Sequence, residues 1–213
     1  MTVGSRAPES EGERPASCGL SRETPTRLLG TRLVYSPLVK DPIPPVGQPI
    51  QLLHPVLPAR SRLWGAGRPS YPDEPPQAAA VEAGVRAWKE AGVSYVLSLI
   101  EDWEVPRRAP GLFETLAREG IDLQRYPIVD FGVPREGPGF LRVLRDIERR
   151  LEEGEGILVH CNAGLGRTAV VLASILKAHG LVLDPVTELR RIYRSTAMQE
   201  PVQEAFVRGL ATR

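Results

Sequence analysis

Cysteine is nearly absent from this chain: among 213 residues, Cys18 and Cys161 are the only two. Two such residues make no secreted disulfide framework, so Cys161 reads as a free thiol in a reducing compartment. Lysine is scarce as well, occurring only at Lys40, Lys89 and Lys177, and arginine supplies the rest of the basic charge. The formal net charge of +1 leaves no large field to draw in nucleic acid. No apolar run is long enough to span a bilayer, and residues 1–30 lack the basic-then-apolar order of a signal peptide. These absences exclude a secreted disulfide scaffold and a membrane protein. They lead us to expect a cytoplasmic protein with no nucleic-acid or membrane partner.

Proline is plentiful, at 21 residues. Residues 1–30 combine Ser, Glu, Arg, Gly and Pro with few large apolar side chains, a composition that reads as disordered. Residues 31–60 form a Pro-rich arm. Prolines recur from Pro37 to Pro76, with Val34, Leu38, Val46, Leu52, Leu53, Val56 and Leu57 spaced among them. Such a stretch cannot form regular helix, and it reads as an extended arm over a domain surface. A protein partner for this arm is the other reading. Residues 61–213 hold the regular pattern.

That pattern alternates. A short strand at Arg62–Gly65 precedes a helix carrying Val81, Val85 and Trp88 and ending at Gly92. Strands are expected at 93–100 and 121–128 with a short helix at 112–118 between them. Phe140, Leu144, Ile147 and Leu151 make an apolar helical stripe. Ile157-Leu158-Val159 is a buried strand, and the run 169–176 is a helix apolar nearly all round. Asp184-Pro185 starts another helix, and a last one carries Val202, Phe206 and Leu210. The fold class that follows is α/β, with a mostly parallel central sheet flanked by helices.

Between the buried strand and the buried helix lies His160-Cys161-Asn162-Ala163-Gly164-Leu165-Gly166-Arg167-Thr168. A five-residue loop of this kind can turn successive backbone N–H groups into one small bowl that binds an anion. Gly164 and Gly166 allow the dihedrals, and Arg167 can close the bowl with a planar fork. The helix N-terminus adds its own partial charge. Cys161 would sit at the bottom as a nucleophile toward a phosphate monoester. Asn162, Ala163, Gly164, Leu165 and Gly166 would then line the substrate anion. No metal or cofactor is called for.

Thiolate attack needs a proton for the departing oxygen. In Tyr126-Pro127-Ile128-Val129-Asp130-Phe131-Gly132-Val133-Pro134, Asp130 stands at a strand-to-loop transition where a carboxyl could reach the pocket. Asp122 and Glu136 are its rivals, but Asp122 opens the strand at the wrong end and Glu136 lies beyond Pro134. Gln199 and Gln203 are four apart, on one face if helical, and either could orient a water. Read alone, both are ordinary solvated glutamines at a helix start. The cluster Arg190, Arg191 and Arg194 reads as a solvated helix face.

The Cys161–Thr168 loop, the upstream Asp130 and the opening Leu63-Trp64-Gly65-Ala66-Gly67-Arg68-Pro69 together resemble cysteine-dependent protein phosphatases of the dual-specificity branch. Kinase-associated dual-specificity phosphatases are the nearest group, and the resemblance spans about residues 60–210. It implies a protein tyrosine phosphatase-like fold and hydrolysis of phosphotyrosine or phosphoserine/threonine through a phosphocysteine. It also implies Cys161 as nucleophile, Arg167 as clamp, Asp130 as acid and Thr168 as donor to the sulfur. Gln199, with Gln203 second, would position water, and His160 would support the loop. Other readings are a phosphate-binding pseudophosphatase, or action on a phosphoinositide or RNA 5'-phosphate. The loop holds no lysine, which favours a phosphorylated protein as substrate.

Overall fold

The computed structural model describes residues 48–135 and 137–211, all within the unit Lys40–Arg213. The disordered reading of 1–30, Cys18, the first part of the Pro-rich arm and Glu136 lie outside the described residues.

A five-stranded sheet runs through the centre, in the order β1-β2-β5-β3-β4. The strands are β1 (Ile50–Gln51), β2 (Arg62–Ala66), β3 (Tyr95–Ser98), β4 (Asp122–Arg125) and β5 (Gly156–His160). All pairings are parallel except β1 on β2. β1 was not expected from sequence. Residues 48–60, read as an extended arm, supply this edge strand and bury Leu52 and Leu57 in the core.

The described residues form seven helices: α1 (Ala78–Glu90), α2 (Val105–Arg108), α3 (Leu112–Arg118), α4 (Pro138–Glu152), α5 (Arg167–Ala178), α6 (Pro185–Ile192) and α7 (Pro201–Gly209). The one-turn α2 has no apolar periodicity and escaped sequence reading. β3 and β4 are shorter than the apolar runs that suggested them, because Leu99, Ile100 and Ile128 are buried in loops beyond the strand ends.

Alternation along the buried strands divides the core in two. Leu63, Leu97, Ile157 and Val159 face one layer with α4 to α7; Trp64, Val96 and Leu158 face the other with α1 and α3. Every residue from Arg167 to Leu176 on α5 is buried, which is why that helix is apolar on all sides. Each large aliphatic side chain enclosed this way contributes about 1.5–3 kcal/mol. α6 starts as its sequence predicts: Asp184 accepts from Thr187 N–H, with Pro185 in the first turn. On α7 the expected Phe206 and Leu210 pack partly buried against the core. Val202, expected on the same face, is exposed, and the fully buried side chains of the helix are Gln203 and Val207.

Candidate active site

The Cys161–Thr168 loop joins the end of β5 to the start of α5, beyond the carboxyl edge of the parallel strands. Its carbonyls are tied outward one after another. Cys161 O meets His160 Nδ1 at 3.1 Å and Asn162 O accepts from Arg68 N–H at 2.8 Å. Gly164 O accepts from the Tyr193 hydroxyl at 2.7 Å. Leu165 O accepts from Met198 N–H at 2.9 Å, and Gly166 O from Val170 N–H at 3.0 Å. In a trans peptide the C=O and the following N–H point opposite ways. Holding those carbonyls outward therefore aims the N–H groups of Asn162, Ala163, Leu165, Gly166 and Arg167 at the bowl, making an anion nest.

Gly164 is the pivot. Its φ of +79° is a left-handed conformation, and a Cβ there would lie 2.6 Å from the Ala66 carbonyl carbon. Its N–H donates to Cys161 Sγ at 3.2 Å. The cysteine is a free, buried thiol.

Arg167 is almost fully enclosed and is gripped by three groups. Nη1 donates to Glu104 Oε2 at 2.6 Å and to Ile128 O at 3.0 Å, while Nη2 donates to Glu104 Oε1 at 3.0 Å. Nη2 also lies 3.0 Å from Asp130 Oδ1. Burial opposes the charge on Glu104, yet Arg167, the Glu101 N–H and Arg108 outweigh it and hold its pKa below the ordinary value. Arg167 is pushed the other way: burial works against its charge, and Glu104, Cys161 and Asp130 more than restore it. Glu104 carries no motif of its own. The signal that could have found it is the acidic cluster Glu101, Asp102 and Glu104 just past a buried strand, because an enclosed arginine must have a partner and one of the three could supply it.

Asp130 is half-buried, in a loop fixed by Gly132 N–H to Val129 O at 2.8 Å. Phe131 takes a φ of 60° and projects outward, leaving the aspartate turned to Arg167. Asp122 is exposed at the start of β4, on the far edge of the sheet.

Two expectations need correction. Gln199 and Gln203 do not share a helix face, because α7 begins at Pro201 and Gln199 lies exposed before it. Gln203 is the amide at the site: it is fully buried, its Nε2 donates to Gly132 O at 3.1 Å, and it packs against Gly166. Its Oε1 has no partner. Thr168 Oγ1 donates to Ala66 O at 3.4 Å rather than to the sulfur.

His160 is fully buried against Trp88, with ring centroids 5.5 Å apart. A carbonyl can only accept, so its Nδ1 carries the proton toward Cys161 O. Burial depresses its pKa to about 4, with the hydrogen bond to Cys161 opposing.

Other supports carried no sequence signal. Arg68 is buried and donates from Nε to Asn162 Oδ1 at 3.0 Å, so Asn162 spends its side chain on loop architecture. Of the arginines read as a solvated face, Arg194 is buried and donates to Gln48 O at 3.0 Å. Arg190 donates to Ala197 O and Met198 O, both at 2.9 Å, fixing the segment that reaches Leu165.

Known proteins share this frame. The chain is 28% identical over 115 residues to cyclin-dependent kinase inhibitor 3 of Rattus norvegicus and of Sus scrofa, matching 52% of this chain and 54% of each relative. It thus spans about half the length of the curated relatives it matches. The structure of kinase associated phosphatase with its catalytic-site cysteine replaced by serine superimposes with a TM-score of 0.65 at 21% identity, over 76% of this chain and 92% of that one. Tk-PTP in its active form gives a TM-score of 0.56 at 27% identity, over 76% of this chain and 99% of that one. A family model described as "Polymorphic toxin system, DSP-PTPase phosphatase" matches residues 72–181. That match takes in more than half of the sequence and all of the nucleophile loop, and the chain belongs to this DSP-PTPase phosphatase family.

Proposed function

We propose that this protein hydrolyses phosphate monoesters on phosphorylated proteins, through a phosphocysteine on Cys161. The observation that carries this reading is the convergence on one guanidinium. The Arg167 guanidinium, held by Glu104 and close enough to Cys161 to feel its charge, also lies 3.0 Å from Asp130. A phosphate bound in the nest would have its phosphorus facing Sγ and three oxygens among N–H donors. Charge building on those oxygens in the transition state meets donors already aimed at it, so little reorganisation is needed.

In the first step the Cys161 thiolate attacks phosphorus, and Asp130, displaced from Arg167 by the substrate and protonated, gives that proton to the leaving oxygen as the phosphorus–oxygen bond breaks. In the second, a water oxygen attacks phosphorus while Asp130 takes its proton, and the phosphorus–sulfur bond breaks to release inorganic phosphate and return the Cys161 thiolate. Gln203 Oε1, enclosed and without a partner beside Gly166, is the acceptor that would orient that water. His160 and Thr168 support the loop from behind.

A phosphorylated protein is favoured over an inositol lipid because the loop has no lysine between Cys161 and Arg167. The free, buried thiol of Cys161 suits a reducing, cytoplasmic setting. No helix among the described residues is long and apolar enough to cross a membrane. The test is turnover of an aryl phosphate and of phosphotyrosine, phosphothreonine and phosphoinositide substrates in EDTA, by wild type and Cys161→Ser. Loss of turnover in Cys161→Ser supports the reading, whereas wild-type turnover by that variant sinks it. A preference for the lipid would reassign the substrate.

A further inference from the structure

Behind the nucleophile loop, two buried polar atoms have no hydrogen-bond partner: Ser98 Oγ and His160 Nε2. Both residues are completely enclosed. They are also neighbours, because Ser98 and His160 are Cα partners in the parallel pair of β3 with β5. Paired residues on adjacent parallel strands point to the same face of the sheet, from backbones about 4.8 Å apart. That face is the α1 side, since Val96 and Leu158, two residues earlier on each strand, pack in the same layer as Trp88.

The two orphan atoms are chemically complementary. His160 Nδ1 must hold the ring proton, because its partner at 3.1 Å is the Cys161 carbonyl. Nε2 is then a lone pair that needs a donor. Ser98 has a rotatable O–H and a short side chain on the adjoining strand. Leaving either group unpaired inside the core is costly, and pairing them removes both penalties.

We propose that Ser98 Oγ–H donates to His160 Nε2, directly or across one buried water, and that Ser98 is thereby a positioning residue for the nucleophile loop. The chain of effect has three links. Ser98 holds the ring in its Nδ1–H form, the ring holds the Cys161 carbonyl, and that carbonyl fixes the opposite direction of the Asn162 N–H. The inference on catalysis rests on the phosphatase reading, whereas the hydrogen bond itself does not.

The test uses full-length protein with 15N-labelled histidine, comparing wild type with Ser98→Ala, Ser98→Thr and Ser98→Cys. His160→Asn assigns the His160 ring resonances. A hydrogen-bonded Nε2 resonance is expected in wild type. It should be displaced in Ser98→Ala, restored in Ser98→Thr and partly displaced in Ser98→Cys, whose thiol is a weak donor. On an aryl phosphate, Ser98→Ala should lose about 5- to 30-fold in kcat with KM little changed, the scale of one hydrogen bond. Ser98→Thr should recover that activity.

An Nε2 resonance that stays put in Ser98→Ala, or a Ser98→Ala protein as stable as wild type or more so, overturns the pairing. A displaced resonance with unchanged kcat overturns the positioning role. Should Ser98→Ala not fold, Ser98→Cys and the wild-type resonance decide, and an Nε2 at its free-lone-pair position overturns the pairing. An inactive wild type would sink the phosphatase reading while the spectra still judge the pair.

Discussion

Arg167 and Glu104 meet as a buried two-pronged ion pair, with Nη1 2.6 Å from Oε2 and Nη2 3.0 Å from Oε1. The pair locks the guanidinium's rotation, so the arginine need not turn when a phosphate takes the place of Asp130 at Nη2. Glu104→Ala strands an enclosed guanidinium, a change that costs roughly 3–5 kcal/mol. Glu104→Gln keeps the shape and one acceptor but loses the charge. Both variants should be destabilised in urea and bind vanadate more weakly than wild type, with the alanine worse. Wild-type vanadate affinity in Glu104→Gln would show that the pair does not orient the clamp.

Asp130 Oδ1 lies 3.0 Å from Nη2 of the same arginine, and under the proposed mechanism its removal should be felt in the step that expels an alkoxide. Asp130→Asn should lower kcat by roughly 10²–10⁴ on a substrate with a poor leaving group. The loss should shrink toward nothing on an aryl phosphate whose phenoxide departs unaided, with KM little altered in both. An equal loss on the two substrates would mean that Asp130 holds Arg167 instead of transferring a proton.

How much of this was readable in the sequence depends on whether a residue's partners are local. The Cys161–Thr168 loop was legible because its chemistry is written in contiguous residues between a buried strand and a buried helix. Four of the five strands were legible as short apolar runs set between helices, whereas β1, inside the Pro-rich arm, was not. Glu104, Arg68 and Tyr193 were not, because each acts on a loop 29 to 94 residues away in sequence. The resemblance puts Gln199 ahead of Gln203, and their four-residue spacing suggests one helix face, but Pro201 starts the helix between them. α2 was missed for a different reason, since four residues are too few to show a period.

Gln203 bridges the acid loop and the nucleophile loop through Gly132 O and Gly166. Gln203→Ala should therefore slow phosphocysteine hydrolysis more than its formation. Rapid-quench measurement should show a larger burst of released phenol followed by a slower steady state. Gln199→Ala, changed at an exposed position, should give the smaller defect of the two. The reverse order would return the water-positioning role to Gln199.

Gly164→Ala tests the nest itself. The added methyl would sit 2.6 Å from the Ala66 carbonyl carbon and 2.7 Å from Gly67 N, both backbone atoms that cannot swing aside. The positive φ adds strain of about 1–3 kcal/mol. The peptide carrying the N–H to Cys161 Sγ must then rotate, and turnover should be lost while the protein remains folded by circular dichroism. An active Gly164→Ala enzyme would mean that the nest tolerates a different backbone path.

His160 ties loop architecture to pH. Its folded pKa is depressed to about 4 from the ordinary 6.5, because burial disfavours the imidazolium. Between those two values the unfolded chain binds a proton that the folded chain does not. Stability from this group is therefore complete above pH 6.5 and is lost as pH falls toward 4, by about 3 kcal/mol in all. Urea midpoints measured from pH 7 to 4 should fall accordingly, and His160→Asn, which has no such proton to exclude, should flatten that part of the profile. If both proteins lose stability in parallel, the acid sensitivity belongs to the carboxylate ion pairs and not to the histidine.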